Sequence, residues 1–529
     1  MALFQAQDLK THMKLLDFEE QSGEFHDTVS TPVFTETVGK HLLDATKANL
    51  DQRKKALTQY GLLAGDISEG RGSGRPLRVF YNVAAPSSVF ICGSQGSGKS
   101  HTLATLLENC LVHSAASTLT RPLVGLVFHY DSLASDVGGL PCEAAYLSSH
   151  KNVKVRVLCP PTNTETIKKI YSCLPNVSVQ ELRFSQDNLN TKRMLNLMAA
   201  HPGQGGRMPL YLHTVMRVLR ELRIHQQRQG VGFDYQAFRK ALEAETLTEA
   251  QSVPLYQRLE TLESFMVKQN ANTPGPVKQK RKMNASSSVE HHKGADWTPV
   301  SGQLTVVDLS CPCVTAEQAC SLFDICLSLF LEQKTDLGRV VALDESHKYM
   351  TESPESQVFA ESLLSAIRLQ PHNGTRVIIS TQEPTVSPRL LDLCNITVVH
   401  RFSSPVWLQV LRRHLAGASE IGACRGTEVD IAGRKTSGQS NHIVSNLGGY
   451  QPIPGPELFE NIVNLRTGEA FLFAPSAVVG VTQRSRPQKV SEAAGRKKDW
   501  QPVFLGDGVM KVQIRKRITV DGGMSIMAR

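Results

Sequence analysis

The sequence contains no stretch of about 18 residues that is both apolar and uncharged, the length a helix needs to cross a bilayer, so no segment predicts a membrane span. It also lacks the pattern of a secretory leader, because MALFQAQDLKTHMKLLDFEE meets charge before an apolar run can form. No CxxC pair and no internal repeat occur. The eleven cysteines, at 92, 110, 142, 159, 173, 311, 313, 320, 326, 394 and 424, are scattered and odd in number. That usage predicts free, mostly buried thiols in a reducing compartment, hence an intracellular protein, cytoplasmic or nuclear. Cys311 and Cys313 lack two further ligands at zinc spacing. With 41% hydrophobic and 20% charged residues over 529 positions, the chain is neither disordered, collagen-like nor disulfide-stapled. Its length predicts about three or four domains.

Charge is present but unevenly placed. Of the net +9, +7 falls in residues 484–529, where eleven Lys/Arg face four Asp/Glu. Such a basic arm suits phosphate or a protein partner, or is simply solvated. A second concentration lies at 210–229, where Arg217, Arg220, Arg223 and Arg228 share one helical side opposite Leu212, Val215, Val218, Leu219 and Leu222. A basic helix face can follow a phosphate backbone. The run Lys278, Lys280, Arg281 and Lys282 has the composition of a nuclear-import signal.

Periodicity divides the chain into six stretches. Residues 1–75 read as mostly helical, with VGKHLLDATKANLDQRKKALTQYG an amphipathic helix closed by Gly61. Residues 76–184 and 301–483 carry short Val/Ile/Leu runs without alternation: SSVFIC, LVGLVFHYD, VKVRVLC, LTVVDLS, RVVALDE, TRVIISTQ and NITVVHRF. Continuous apolar runs predict strands buried on both faces, hence an α/β core with a mostly parallel sheet. Between them, 185–270 has only helical periodicity and reads as an insertion. Residues 271–300 are polar and Pro/Ser/Asn-rich, as in a flexible loop. Residues 484–529 form the basic C-terminal arm, in which VMKVQIRKRITV alternates like a strand.

The strongest chemical signal is GSQGSGKS, running Gly93, Ser94, Gln95, Gly96, Ser97, Gly98, Lys99, Ser100 and followed by His101. It fits G-x-x-x-x-G-K-[ST] between a strand and a helix. Glycines let the backbone N–H groups wrap a β-phosphate, where side chains would collide with it. Lys99 reaches the β/γ-phosphates, Ser100 supplies a Mg²⁺ ligand, and the following helix adds its positive end. The cofactors expected are therefore ATP and Mg²⁺. Hydrolysis also needs an acidic strand tip. LTVVD ends in the lone Asp308, whereas VVALDE ends in Asp344 and Glu345, so Asp344 is assigned to the metal and Glu345 to the attacking water. Gln382, at the tip of TRVIISTQ, is placed to sense the γ-phosphate or orient the water.

In this order, GSQGSGKSHT, TVVDLS, VVALDESHKYM, RVIISTQEPTVSPRLLDLCNITVVHRF and LRTGEAFLFAPS resemble the HerA–FtsK group of P-loop ATPases, most of all its HerA side. The likeness spans roughly residues 76–131 and 303–480, and the STQEP strand with its SPRLLDLCN…HRF continuation is its most specific part. It implies a RecA-like ATPase core that assembles as a hexamer and drives double-stranded DNA through the ring as a translocase or helicase. It also implies that Lys99, Ser100, Asp344, Glu345 and Gln382 form the site. A trans-acting arginine is implied as well, for which Arg368 is the candidate, with Arg376 and Arg401 as alternatives. Pro371 and His372 stand where a basic pair is often found. The small N-terminal β-barrel of HerA proteins is not evident in 1–75. In HerA-like rings the C-terminal arm braces an adjacent subunit, whereas here a DNA-contacting tail would explain the same charges. These departures leave a second reading, a slow nucleotide-dependent switch or scaffold assembling with protein partners. A third, a P-loop kinase, is weaker, because such kinases work under an arginine-rich lid and lack the Asp-Glu strand followed by the STQ strand.

Overall fold

The computed structural model describes residues 30–48, 57–68, 75–135, 138–198, 210–267, 294–384, 388–415, 418, 450, 453–483 and 500–522. The strands are β1 (Val33–Thr35), β2 (Tyr60–Asp66), β3 (Leu77–Asn82), β4 (Ser88–Cys92), β5 (Ser117–Thr118), β6 (Val124–His129), β7 (Lys154–Cys159) and β8 (Val177–Glu181). They continue with β9 (Gln303–Asp308), β10 (Arg339–Leu343), β11 (Thr375–Thr381), β12 (Ile396–Val399), β13 (Glu469–Phe473), β14 (Val478–Gln483), β15 (Trp500–Phe504) and β16 (Met510–Ile514). The helices used below are α1 (Glu36–Ala48), α2 (Lys99–Leu111), α3 (Thr164–Tyr171), α4 (Thr191–Leu197), α5 (Leu210–Gln229), α6 (Tyr235–Glu243), α7 (Glu249–Ser264), α8 (Ala316–Glu332) and α9 (Pro354–Arg368).

One mixed sheet runs in the order β15-β14-β1-β3-β2-β16-β13-β12-β4-β11-β10-β6-β9-β7-β8, with β5 paired to β2. From β12 to β8 every neighbouring pair is parallel. Its central strands are buried on both faces, as their uninterrupted apolar runs require. Alternate residues therefore feed two cores. Val89, Ile91, Val127, Val306, Val340 and Ile378 pack with Leu103 and Leu107 of α2 and Ile167 of α3. Phe90, Phe128, Val307, Val341 and Ile379 pack on the other face with Phe323 of α8 and Phe359 of α9. There the Phe128 ring sits 4.7 Å from Phe323 and 5.5 Å from Phe359, centroid to centroid. Burying side chains of this size stabilises the sheet by about 1.5–3 kcal/mol each, so the strand tips stand on a stiff base.

The insertion leaves and returns at one point. Phe184 N–H donates to Phe265 O at 2.8 Å, and Val267 N–H donates to Phe184 O at 3.0 Å. Between them α4–α7 lay Leu212, Val215, Leu219, Phe238, Leu255 and Leu259 onto the second core. The opposite side of α5 is exposed at Arg220, Arg223 and Arg228, while Arg217 is paired with Glu221 and Glu245. The basic run at 278–282, most of the expected flexible loop and residues 484–499 of the arm lie outside the described residues.

The described part of the N-terminal region holds α1 but also β1 and β2, and Gly61 lies inside β2, which corrects the expected helix closed by Gly61. A Cβ there would come within 2.4 Å of the Asn109 side chain on α2. The glycine thus serves a close approach between elements rather than a helix stop. The C-terminal arm joins the same part of the sheet: β15 pairs with β14, and β16 lies between β13 and β2. No helix among the described residues is long and apolar enough to cross a membrane.

Candidate functional site

The parallel register brings the carboxyl ends of five strands to one edge. Thr381 pairs with Cys92, Leu343 with Phe128, and His129 with Asp308. The residues that follow these positions, Gly93, Asp344 and Gln382, therefore emerge together, in the crevice where open α/β sheets place ligands.

Gly93 to Gly98 turn the chain from β4 into α2. Gly98 has φ 112°, and a Cβ on it would stand 3.1 Å from the backbone nitrogen of Gly468. A side chain is excluded there by conformation and by space. The loop is internally braced: the Ser97 hydroxyl donates to Ser94 O at 2.7 Å, and Ser94 donates through both its N–H and its hydroxyl to Arg401 O at 2.8 Å. Lys99 is buried and donates to Ser94 O at 3.1 Å. Burial pushes its ammonium down, and the nearby carboxylates of Glu345 and Asp344 pull it back up.

Below the loop, His400 is completely buried. Its Nε2 lies 2.8 Å from the Thr102 hydroxyl and its Nδ1 2.9 Å from Glu469 O. Nδ1–H donates to the carbonyl and Nε2 accepts from the hydroxyl, a neutral tautomer tying α2 to β13. Burial pushes this imidazole down to about 4. An unfolded chain protonates its histidines near pH 6.5, before folded His400 does. The contribution of His400 to stability is therefore complete above pH 6.5 and is lost progressively toward pH 4, by roughly 3 kcal/mol in all. Urea midpoints at pH 7 and pH 4.5 should accordingly differ less in His400→Gln than in the wild type.

Across the crevice, Glu345 has φ 47° and ψ 46°, a left-handed conformation unusual for a non-glycine residue. Its Oε2 accepts from Gln382 Nε2 at 3.3 Å. His347 Nδ1 also lies 3.3 Å from Oε2, yet it accepts the Gln382 backbone N–H at 3.4 Å, and burial lowers its basicity. We therefore read this histidine as neutral, a neighbour rather than an ion-pair partner of Glu345.

Asp344 is buried beside Glu345. Oδ2 accepts from His129 Nδ1 at 3.2 Å and from the Cys142 thiol at 3.6 Å, while Oδ1 has no hydrogen-bond partner. Burial pushes the carboxyl up, and the hydrogen bond and charge of His129 outweigh it, so the net shift is downward. Burial likewise opposes charge on His129, but the surrounding groups hold it protonated well above its usual range. The Cys142 thiol is pushed up to about 11 by burial and stays neutral. Cys142, Asp308 and Asp344 are the groups that raise His129. Asp308, the competing strand-end acid, is committed elsewhere: its Oδ2 accepts from Tyr171 OH at 2.6 Å and its Oδ1 from Ser310 N–H at 3.0 Å.

Three arginines were open as trans-acting candidates. Arg376 is buried and donates to Ala84 O and Gly374 O, each at 2.6 Å. It is part of the sheet and unfit to project outward. Arg401 is exposed beside the loop of its own chain. Arg368 is exposed at the end of α9, before β11 begins. A seven-residue strand separates that end from the site, about 20 Å, so Arg368 is remote from the crevice of its own chain.

The sequence reading missed how the arm meets α2. Glu108, fully buried, accepts from Arg515 Nη1 at 2.7 Å, from Thr519 N–H at 2.9 Å and from the Thr519 hydroxyl at 2.6 Å. Arg517, also buried, pairs with Glu143. His101 Nε2 lies 2.8 Å from Arg515 O. Two of the arm's arginines are therefore held within their own chain and are not free for DNA. Glu108→Ala strands Arg515 without its partner and should cost about 3–5 kcal/mol. Urea unfolding measures that loss, and faster proteolysis after residue 500 would localise it.

No protein-family profile matches the chain, and no curated protein does. Among solved structures it is similar to VirB4 of Thermoanaerobacter pseudethanolicus, at 12% identity over 78% of this chain and 93% of that one, with a TM-score of 0.38. It is also similar to the genome packaging NTPase B204 from Sulfolobus turreted icosahedral virus 2 in complex with ATP-gammaS, at 12% identity over 33% and 63% of the two chains, TM-score 0.20. The same NTPase with sulfate gives 11%, 36%, 68% and 0.22. Scores at this level identify no activity. The glycine loop between β4 and α2, set in a parallel block flanked by helices on both faces, gives the chain the α/β fold of a P-loop NTPase.

Proposed function

We propose that this chain binds ATP with Mg²⁺ and hydrolyses it, and that its copies form a ring, a hexamer by the HerA–FtsK resemblance, that moves double-stranded DNA. The observation that carries the ATPase reading is the meeting of Lys99 and Ser100 with Asp344, Glu345 and Gln382 at one sheet edge. Lys99, bonded to Ser94 O within reach of the charge of the two carboxylates, turns to the β- and γ-phosphates when nucleotide fills the loop. The orphaned, buried Oδ1 of Asp344 and the Ser100 hydroxyl are hard oxygen donors of the kind Mg²⁺ prefers, so these two residues would hold the ion. When bound, Mg²⁺ neutralises charge on the phosphate oxygens. Glu345 takes the proton of the attacking water, and Gln382, bonded to the same carboxylate, fixes its direction. Arg368, remote from its own crevice and exposed, would serve the site of a neighbouring copy.

The DNA part of the proposal is supported by the resemblance and by the exposed arginines of α5. Its test is ATP turnover with and without duplex DNA, alongside the mass of the assembly with nucleotide. Strong stimulation in a ring-sized oligomer supports the motor, and DNA-indifferent turnover by a monomer removes it. The docking of Arg515 and Arg517 inside the chain favours a second reading, a slow switch whose arm reports on α2, and that second outcome would leave it standing.

A further inference from the structure

The buried cluster behind Asp344 is not needed by the steps above. Three potential metal donors meet there from three elements: His129 at the tip of β6, Cys142 in the segment before β7, and Asp344 after β10. All are buried, and their donor atoms lie within 4.8 Å of one another. It is the one such group of three or more found among the described residues.

We propose that His129, Cys142 and Asp344 form a site for a thiophilic divalent cation of the zinc type, and that its occupation shuts the nucleotide site down. Two of the three separations match those around one ion, and the third lies within 4.8 Å. With zinc bonds of about 2.0 Å to oxygen and nitrogen and about 2.3 Å to sulfur, tetrahedral angles place N and O about 3.3 Å apart and S and O about 3.5 Å apart. The structure has 3.2 Å between His129 Nδ1 and Asp344 Oδ2, and 3.6 Å between Cys142 Sγ and the same oxygen. Three protein ligands leave a fourth position for water, as in open zinc sites.

The thiol selects against Mg²⁺, which prefers hard oxygen ligands. Asp344 also feels the charge of Lys99, so the cluster lies against the nucleotide crevice. An ion on Oδ2 places two positive charges beside the carboxylate whose Oδ1 would serve Mg²⁺, and weakens its hold.

The inhibitory effect rests on the ATPase reading, whereas the site itself does not. Cobalt(II) added to the full chain is the probe. The expected result is one cobalt per chain with a sulfur-to-cobalt charge-transfer band, bleached by zinc. In Cys142→Ser that band is absent and affinity falls by at least about 100-fold, with His129→Gln as a second, sulfur-retaining variant that also weakens binding. The ratio of ATP turnover with and without zinc should fall at least tenfold in the wild type and stay near one in Cys142→Ser. An unchanged band in Cys142→Ser would assign it to other thiols, such as exposed Cys173 and Cys313, and overturn the site. Equal zinc sensitivity in both proteins would overturn the inhibition. A wild type without turnover would sink the ATPase reading, and the cobalt band would still decide the site.

Discussion

Replacing Lys99 with alanine should abolish ATP hydrolysis while leaving the fold intact. Lys99 is almost fully buried, and its ammonium donates to Ser94 O. Burial already disfavours its charge, so removing the ammonium also removes a desolvation cost. The loop keeps its Ser97–Ser94 and Ser94–Arg401 bonds, so thermal unfolding should shift little. The loss appears when phosphate arrives, because the ammonium that the loop itself carries is then missing. A preorganised charge on a transferring phosphoryl group is worth about 10²–10³ in rate. Lys99→Arg should rescue poorly, since a planar fork does not replace a point charge inside a tight loop.

Glu345→Gln should bind ATP and fail to turn it over. The amide keeps the size of the side chain, and its oxygen can still accept from Gln382 Nε2. Asp344 and the loop are untouched, so nucleotide affinity survives. What disappears is the acceptor for the proton of water, a contribution of about 10²–10⁴ in rate. The left-handed backbone at Glu345 supports this assignment, because strain of that kind persists where the surroundings enforce it, and such positions cluster at functional sites. Fluorescent-nucleotide binding together with single-turnover phosphate release would separate the two effects. Unchanged turnover in this variant would place the base elsewhere.

The core was legible because its signals are local. An uninterrupted apolar run such as VVAL can be satisfied only by a strand covered on both faces, and GSQGSGKS carries its own turn chemistry. The same locality places Asp344, Glu345 and Gln382 at strand ends, and parallel register then aligns those ends. What escaped the sequence depends on partners far away in it. Gly61 looks like a helix stop until Asn109 is seen against it. The strand YGLLAGD has weak alternation, and it is fixed by β3, the next strand, and by β5 and β16 from more distant stretches.

The basic arm shows the same limit. Counting charge in residues 484–529 suggests a surface for phosphate, yet the acids that take up Arg515 and Arg517, buried Glu108 and partly buried Glu143, lie on α2 and in the segment before β7. Because β16 separates β13 from β2, truncation at 484 would open the sheet itself, and Glu108→Ala is the cleaner probe of the arm. His400 likewise stood in a recognised block without a role, until the structure placed it under the phosphate loop.

The most direct measurement is phosphate release from ATP and Mg²⁺ by the purified full chain, run beside Lys99→Ala and Glu345→Gln. The account predicts turnover in the wild type, none above background in either variant, and retained nucleotide binding only in Glu345→Gln. Equal release by all three proteins, or no nucleotide binding by the wild type, would contradict it.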